Sequence, residues 1–145
     1  MYKEVPDMAQ QTITAALKSR TAPVVTCRAD DSIQLVIGLL DRHKIGALPV
    51  TDGDGRLVGV ISERDVIRAL AASQGDVRAR KVNELMSRDV VTCTRATAIK
   101  DAVRLMDARH IRHLPVMEGS RVVDMVSLRD VVSLRLSEAE LETDV

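Results

Sequence analysis

GALPVTDGDGRLVGVISERDV, residues Gly46–Val66, is the stretch whose reading decides the fold of this chain. ALPVT and RLVGVIS are short aliphatic, β-branched runs, and the DGDG between them supplies residues that accept turn conformations. The stretch therefore predicts a β-hairpin. SERDV then begins as a helix would, with a serine able to cap and an aspartate three residues later. A diverged copy, RHLPVMEGSRVVDMVSLRDV, stands at Arg112–Val131 with a turn, EGS, one residue shorter. A hairpin running straight into a helix, written twice, makes this a chain of two repeats.

The repeat extends outward from the hairpins. Val24–Gly53 matches Val90–Gly119 at an offset of 66 with twelve of 30 positions identical, including VVTC at Val24–Cys27 and Val90–Cys93. Arg56–Leu70 matches Arg121–Arg135 at an offset of 65 with six of 15 identical, where chance gives about one match in fifteen to twenty. Each VVTC predicts a short strand. Ile33, Val36, Ile37 and Leu40 then recur on one helix face, with Asp31 or Ser32 as cap. Ile99, Ala102, Val103 and Met106 repeat that face, with Thr97 as the expected cap. Ser62–Ala72 and Ser127–Leu136 predict closing helices, the first ended by Gly75, and Val82–Met86 one further turn. The fold class is α/β (α+β), two β-α-β-β-α repeats. The expected division is an N-terminal segment 1–12, repeats 13–73 and 82–137, a linker 74–81 and an acidic tail 138–145. The tail reads as a solvated helix end, with Leu136 and Leu141 available for dimer packing. Neither half, at ~50 residues, buries enough apolar surface to be stable alone, so the two are expected to pack together.

Composition narrows the function. The 145 residues carry 21 Lys and Arg against 21 Asp and Glu, which gives no pull toward nucleic acid or an anionic membrane. With no Phe, no Trp and one Tyr, the chain lacks the aromatic platforms of a single-strand binder; nucleic-acid binding is not expected. No apolar run approaches the ~20 residues of a membrane span, and MYKEVPDMAQQ does not read as a signal peptide. Two cysteines in that setting suggest free thiols and a cytoplasmic protein. Cys27 and Cys93 read as small buried residues, and they lack the partners and spacing of a zinc site. No nucleophile–base pair or phosphate loop of the form GxxxxGK[ST] stands out, so no catalytic residue is assigned and the chain is not expected to be an enzyme.

The chemistry sits at ISERDV (61–66) and VSLRDV (126–131), both Ser-x-Arg-Asp where a strand becomes a helix. Two readings are open. Ser-x-x-Asp is a capping box with Asp in place of Glu, complementing the helix dipole. The same geometry suits a nucleotide: helix N–H groups and an arginine fork for phosphate, a carboxylate for ribose hydroxyls. Its occurrence at the same place in both repeats favours the nucleotide.

Residues 24–72 and 90–136, with GALPVTDGDGRLVGVISERDV and RHLPVMEGSRVVDMVSLRDV at their centres, resemble a pair of cystathionine β-synthase (CBS) domains, a Bateman module, here of the stand-alone bacterial type. The resemblance implies two units packed through their sheets about a pseudo-twofold axis, with two clefts that take adenosine-containing ligands: AMP, ADP or ATP, with NAD or S-adenosylmethionine as further candidates. In such modules the motif Asp takes the ribose, its neighbour meets phosphate, and the lead-in of the other unit encloses the adenine. Carried over, one cleft would use Ser62, Arg64 and Asp65, completed by Ser87, Arg88 and Val90, with Ile111 and Arg112 near the phosphates. The other would use Ser127, Arg129 and Asp130, with Arg112 and His113 close by, completed by Thr21, Pro23, Ile45, Gly46 and Ala47. Arg112 could serve either cleft. His43 and His110 read as structural residues at helix ends.

The two sites should not be equivalent. Gly59, where the family usually has Gly, is matched by Asp124, which could crowd a phosphate or face solvent. Gly46-Ala47 is matched by Arg112-His113. The expected function is a regulatory adenine-nucleotide sensor, a homodimer by resemblance, that signals to an unknown partner protein. The alternative is a ligand-independent dimerisation scaffold.

Overall fold

The structure, a computed structural model, describes residues 11–17, 20, 22–73 and 75–143 of the chain, the side chains as far as Glu140. The elements run α1 (Ile13–Leu17), β1 (Cys27–Arg28), α2 (Ile33–His43), β2 (Ala47–Thr51), β3 (Leu57–Ser62), α3 (Glu63–Ala72), a 3-10 turn (Val77–Ala79), α4 (Val82–Leu85), α5 (Ile99–Arg109), β4 (His113–Glu118), β5 (Arg121–Ser127) and α6 (Leu128–Thr143). The fold is mixed helix and strand with small sheets, β1-β2-β3 and β4-β5.

The chain forms two compact units. Of the described residues, the leading unit takes those from Pro23 to Val90 with the hairpin tip Glu118–Asp124; the trailing unit takes those before Pro23, Val91–Met117 and those from Met125 onward. The compact units and the sequence repeats are thus different divisions. α4, which opens the second repeat, packs in the leading unit, and α1, which opens the first, packs in the trailing unit. The two short helices dock alike. Val82 N donates to Asp31 O, Asn83 N to Ala29 O, and Arg80 O accepts from Ile33 N; Ile13 N donates to Thr97 O, Thr14 N to Arg95 O, and Gln11 O accepts from Ile99 N. Each lead-in supplies an acceptor to the first N–H of the long helix it meets, a group that a helix cannot satisfy internally. Ile13 and Val82 are fully buried.

The predicted helices form, with local differences. Ser32 caps α2, its side chain accepting from Leu35 N at 3.2 Å, while Asp31 bonds Arg28 N. Thr97 does not cap α5: its hydroxyl accepts from Thr94 N, and Ala98 stands at the cap. Ile33, Val36 and Leu40 are buried, but Ile37 is exposed and Leu39 packs on the core in its place. Leu39 borders Val36, so the buried stripe is displaced to that side of the helix and away from Ile37. α3 ends at Ala72 with Ser73 extended, before Gly75. Lys44 and His110, at matched positions, close α2 and α5 with φ of 55°. α6 runs on to Thr143, and Glu138 is not solvated: its carboxylate is 14% exposed, bonded to Arg135 and to the Gln11 amide.

Each VVTC contributes less strand than its composition predicts. Cys27 and Arg28 pair in parallel with Val50 and Thr51, and Cys93 makes one parallel bridge to Val116, the matched partner. The hairpin is as read: Ala47 pairs with Ser62 and Val50 with Gly59, with a bulge after Val50. Asp52 Oδ1 accepts from Asp54 N and Arg56 N, and Gly55 takes a φ of 82° that other residues rarely adopt. The core of the leading unit joins Cys27, Ile33, Val36, Leu40, Leu48, Val50, Ile61 and Val66 with Val77, Val82 and Met86, each large aliphatic side chain stabilising by ~1.5–3 kcal/mol.

Candidate functional site

Ser62 ends β3 and caps α3. Its hydroxyl accepts from Asp65 N at 3.3 Å, while Asp65 Oδ2 accepts from Ser62 N at 2.8 Å and from the Ser62 hydroxyl at 3.0 Å. The capping box is therefore formed, and it leaves room for the second reading. Both reciprocal bonds fall on Oδ2; among the described residues Asp65 Oδ1 makes no hydrogen bond, and the side chain is half-buried. The cap holds the carboxylate in one orientation and leaves one oxygen as an acceptor. Glu63 N donates to Gly46 O at 2.9 Å. Ile45, Gly46 and Ala47 therefore lie beside this helix start, within the leading unit.

The segment at Ser87 joins the same site. Val60 N donates to Ser87 O at 3.0 Å and Ser87 N to Val60 O at 2.9 Å, two residues upstream of Ser62 on β3. Gly59 permits this approach. A Cβ there would stand 2.8 Å from both Met86 Sδ and Ser87 O. Arg88 is exposed, its Nη2 donating to Asn83 O. Val90 is half-buried, Arg64 is exposed on the first turn of α3, and Pro23 is exposed.

The trailing unit repeats the box. Asp130 N donates to Ser127 Oγ at 3.1 Å, and Ser127 N to Asp130 Oδ2 at 2.8 Å. Leu128 N donates to Arg112 O at 2.8 Å, as Glu63 does to Gly46. Ile111 and His113 flank Arg112, both half-buried, and Arg129 is exposed. Thr21 lies outside the described residues.

One residue distinguishes this site and was not foreseen. Arg20 forms an ion pair with Asp130 Oδ2 through Nη2 and donates Nη1 to Met125 O at 2.6 Å. Met125 matches Val60, whose carbonyl accepts from Ser87 N. A guanidinium thus takes the place that a backbone N–H takes in the leading unit. Asp124 stands at the position matched to Gly59. That the two sites differ was readable at Asp124; the part played by Arg20 was not.

Cys27 and Cys93 are buried, and burial pushes their thiols up to about 12, with Asp31 adding to the effect on Cys27, and to about 11. Neither offers a thiolate near neutral pH. Among the described residues, no three His, Cys, Asp or Glu side chains are placed to hold a metal ion. Among the described residues, no helix is long and apolar enough to cross a membrane.

Comparison with known proteins places this geometry. The chain is 39% identical over 111 residues to an uncharacterised 33.4 kDa protein of Thermofilum pendens, covering 77% of this chain and 35% of that protein. It is 31% identical to an inosine-5'-monophosphate dehydrogenase of Methanocaldococcus jannaschii, spanning 22% of that enzyme. It thus spans well under half the length of either relative. Among solved structures, the CBS-domain protein ATU1752 of Agrobacterium tumefaciens is 34% identical with a TM-score of 0.81, over 86% of this chain and 99% of that one. The CBS domain pair of protein MJ0100, in complex with 5'-methylthioadenosine and S-adenosyl-L-methionine, is 28% identical with a TM-score of 0.74, over 81% of this chain and 92% of that one. The sequence model of the CBS domain matches residues 17–72 and again 82–137, so the chain belongs to the CBS domain family, as a tandem pair.

Proposed function

We propose that this CBS pair is a regulatory module that binds an adenosine-containing ligand at its Ser-x-Arg-Asp helix starts and passes the change to a partner protein. AMP, ADP or ATP are the favoured ligands, ahead of NAD or S-adenosylmethionine. The observation that carries the reading is the doubled capping box. It orients Asp65 and Asp130 while leaving Oδ1 of Asp65 outside the cap, a fixed acceptor beside a helix start and the arginine of the same motif. Support comes from MJ0100, a relative of this fold solved with two adenosine compounds. The remaining carried-over contacts, among them Ser87, Arg88, Val90, Arg112, His113 and Ile45–Ala47, are proposed on the same footing.

The first test uses the near absence of aromatic residues. With one Tyr and no Trp, the protein absorbs weakly at 280 nm, so a co-purified adenine dominates the spectrum near 260 nm. The spectrum is recorded without added nucleotide, and the released molecule is identified by mass spectrometry after denaturation. Titration then follows with the double variant Asp65→Ala/Asp130→Ala. Each lost charge-assisted bond is worth ~1.5–3 kcal/mol, so affinity should fall at least about tenfold. Unchanged affinity in the double variant refutes the ribose assignment.

A second reading has its own observation. Ile67 on α3 and Val132 on α6, at matched positions, are 62% and 48% exposed, and Leu70 and Leu136 are also exposed. Apolar side chains at solvent on both closing helices suit a homodimer, and a dimer stable without ligand would serve as a scaffold. Failure of every adenosine ligand to raise the melting temperature selects this reading, because binding to the folded state must stabilise it.

A further inference from the structure

We propose that Arg20 makes the Ser127–Asp130 site selective for adenosine ligands that carry phosphate, because it holds Asp130 in an ion pair that only an anionic ligand can replace. The inference rests on the nucleotide reading above and deepens it. Asp65 and Asp130 are matched residues in matched capping boxes, but among the described residues only Asp130 is paired with an arginine. The pair is partly buried, with the side chains of Arg20 and Asp130 34% and 22% exposed, and the guanidinium is tied a second time to Met125 O.

Consider what a ribose must do at each site. At Asp65 its hydroxyls meet a carboxylate already oriented, with Oδ1 outside the cap. At Asp130 they compete with a guanidinium for the same group. A neutral nucleoside that takes the carboxylate breaks the partly buried Arg20–Asp130 pair and returns no charge to the guanidinium, which is costly. A cationic sulfonium adds repulsion. A nucleotide brings its own replacement: the planar guanidinium bonds phosphate with two parallel N–H groups. The long Arg20 stem lets its head leave Asp130 for a phosphate on the same ribose while the hydroxyls take the freed carboxylate. One ion pair is exchanged for another, so the exchange costs little. The leading-unit site has Ser87 backbone where Arg20 stands and carries no such filter.

The test isolates the trailing-unit site by removing the other acceptor. Asp65→Ala and Asp65→Ala/Arg20→Gln are titrated calorimetrically with AMP and with adenosine, their folding checked by circular dichroism. Asp65→Ala is expected to bind AMP at least about tenfold more tightly than adenosine, the scale of one charge-assisted contact. In Asp65→Ala/Arg20→Gln the gap should narrow to within about threefold, with adenosine gaining in absolute affinity, a gain that a merely structural role for Arg20 does not produce. Arg20→Lys in the same background keeps charge without the fork and should fall between. A gap unaltered by Arg20→Gln, or an Asp65→Ala protein that binds neither compound while the wild type binds, overturns the role of Arg20 and leaves the nucleotide reading standing. A wild type that binds neither compound overturns both.

Discussion

Replacing Gly59 by alanine tests the approach of Ser87 to β3. The new Cβ would stand 2.8 Å from Ser87 O, a backbone atom, and 2.8 Å from Met86 Sδ, the flexible part of a side chain. Met86 can shift; Ser87 O cannot without losing its bond to Val60 N. The molecule takes the cheaper of two routes. Keeping the bridge under strain costs ~1–3 kcal/mol, as overpacking does. Opening it loses two backbone bonds at a net ~0.5–1.5 kcal/mol each. The routes cost about the same, and their costs are not summed, since opening relieves the clash. Alanine restricts the unfolded chain and returns ~0.4–1 kcal/mol, leaving a net loss of about 1–2 kcal/mol. For a chain of this size that lowers Tm by about 2–8 °C. Far-ultraviolet circular dichroism is the assay, since the single Tyr and missing Trp rule out fluorescence. Gly38→Ala is the control: nothing lies within 4 Å of a Cβ there, in the exposed middle of α2. It should raise stability by ~0.5–1 kcal/mol. A Gly59→Ala protein that melts at or above the wild-type temperature refutes the close approach.

Three further outcomes follow from the same structure. Ser62→Ala removes the acceptor for Asp65 N and should cost ~1 kcal/mol by urea denaturation, the usual worth of a cap. The buried thiols stay protonated in the folded protein where unfolded ones ionise, from an ordinary value of 9.0; their stabilisation is complete below that pH and is lost as pH climbs toward 11 and 12. Chemical denaturation from pH 8 to 10.5 should therefore show stability falling, with a shallower fall in Cys27→Ala/Cys93→Ala than in wild type; equal slopes would contradict burial as the cause. Glu138→Ala strips a mostly buried carboxylate from Arg135 and from the Gln11 amide, whose Oε1 has no partner among the described residues either, and should lower stability by ~1–3 kcal/mol, measured by circular dichroism melts.

Much of this was written locally. The hairpins, the helix faces and Ser32 as a cap depend on residues within a few positions of one another, and periodicity reports such contacts directly. Where local reading missed, a distant group had intervened. Thr97 was the natural cap for α5, but Gln11 O already takes Ile99 N, and the Thr97 hydroxyl serves a turn instead. VVTC looked like a full strand, yet only its last residue reaches the neighbouring strand: Cys27 pairs with Val50, and Cys93 makes a single bridge to Val116. The acidic tail looked solvated because its charge was visible and its partner Gln11, far away along the chain, was not.

The sequence by itself determined that there are two copies of one unit, that Ser32 and Ser62 begin their helices, and that Asp65 and Asp130 are equivalent by position. Their spacing is local, and a capping box closes within four residues whatever surrounds it. Tertiary structure alone decided which lead-in packs with which repeat, that Ser87 lies flat on β3 through Gly59, and that Arg20 crosses more than a hundred residues of chain to hold Asp130. No periodicity encodes such contacts, because they depend on which surfaces meet when the chain closes on itself. An arginine on Met125 O and Asp130, where the matched Val60 O takes a backbone N–H, makes two sites with one motif chemically different.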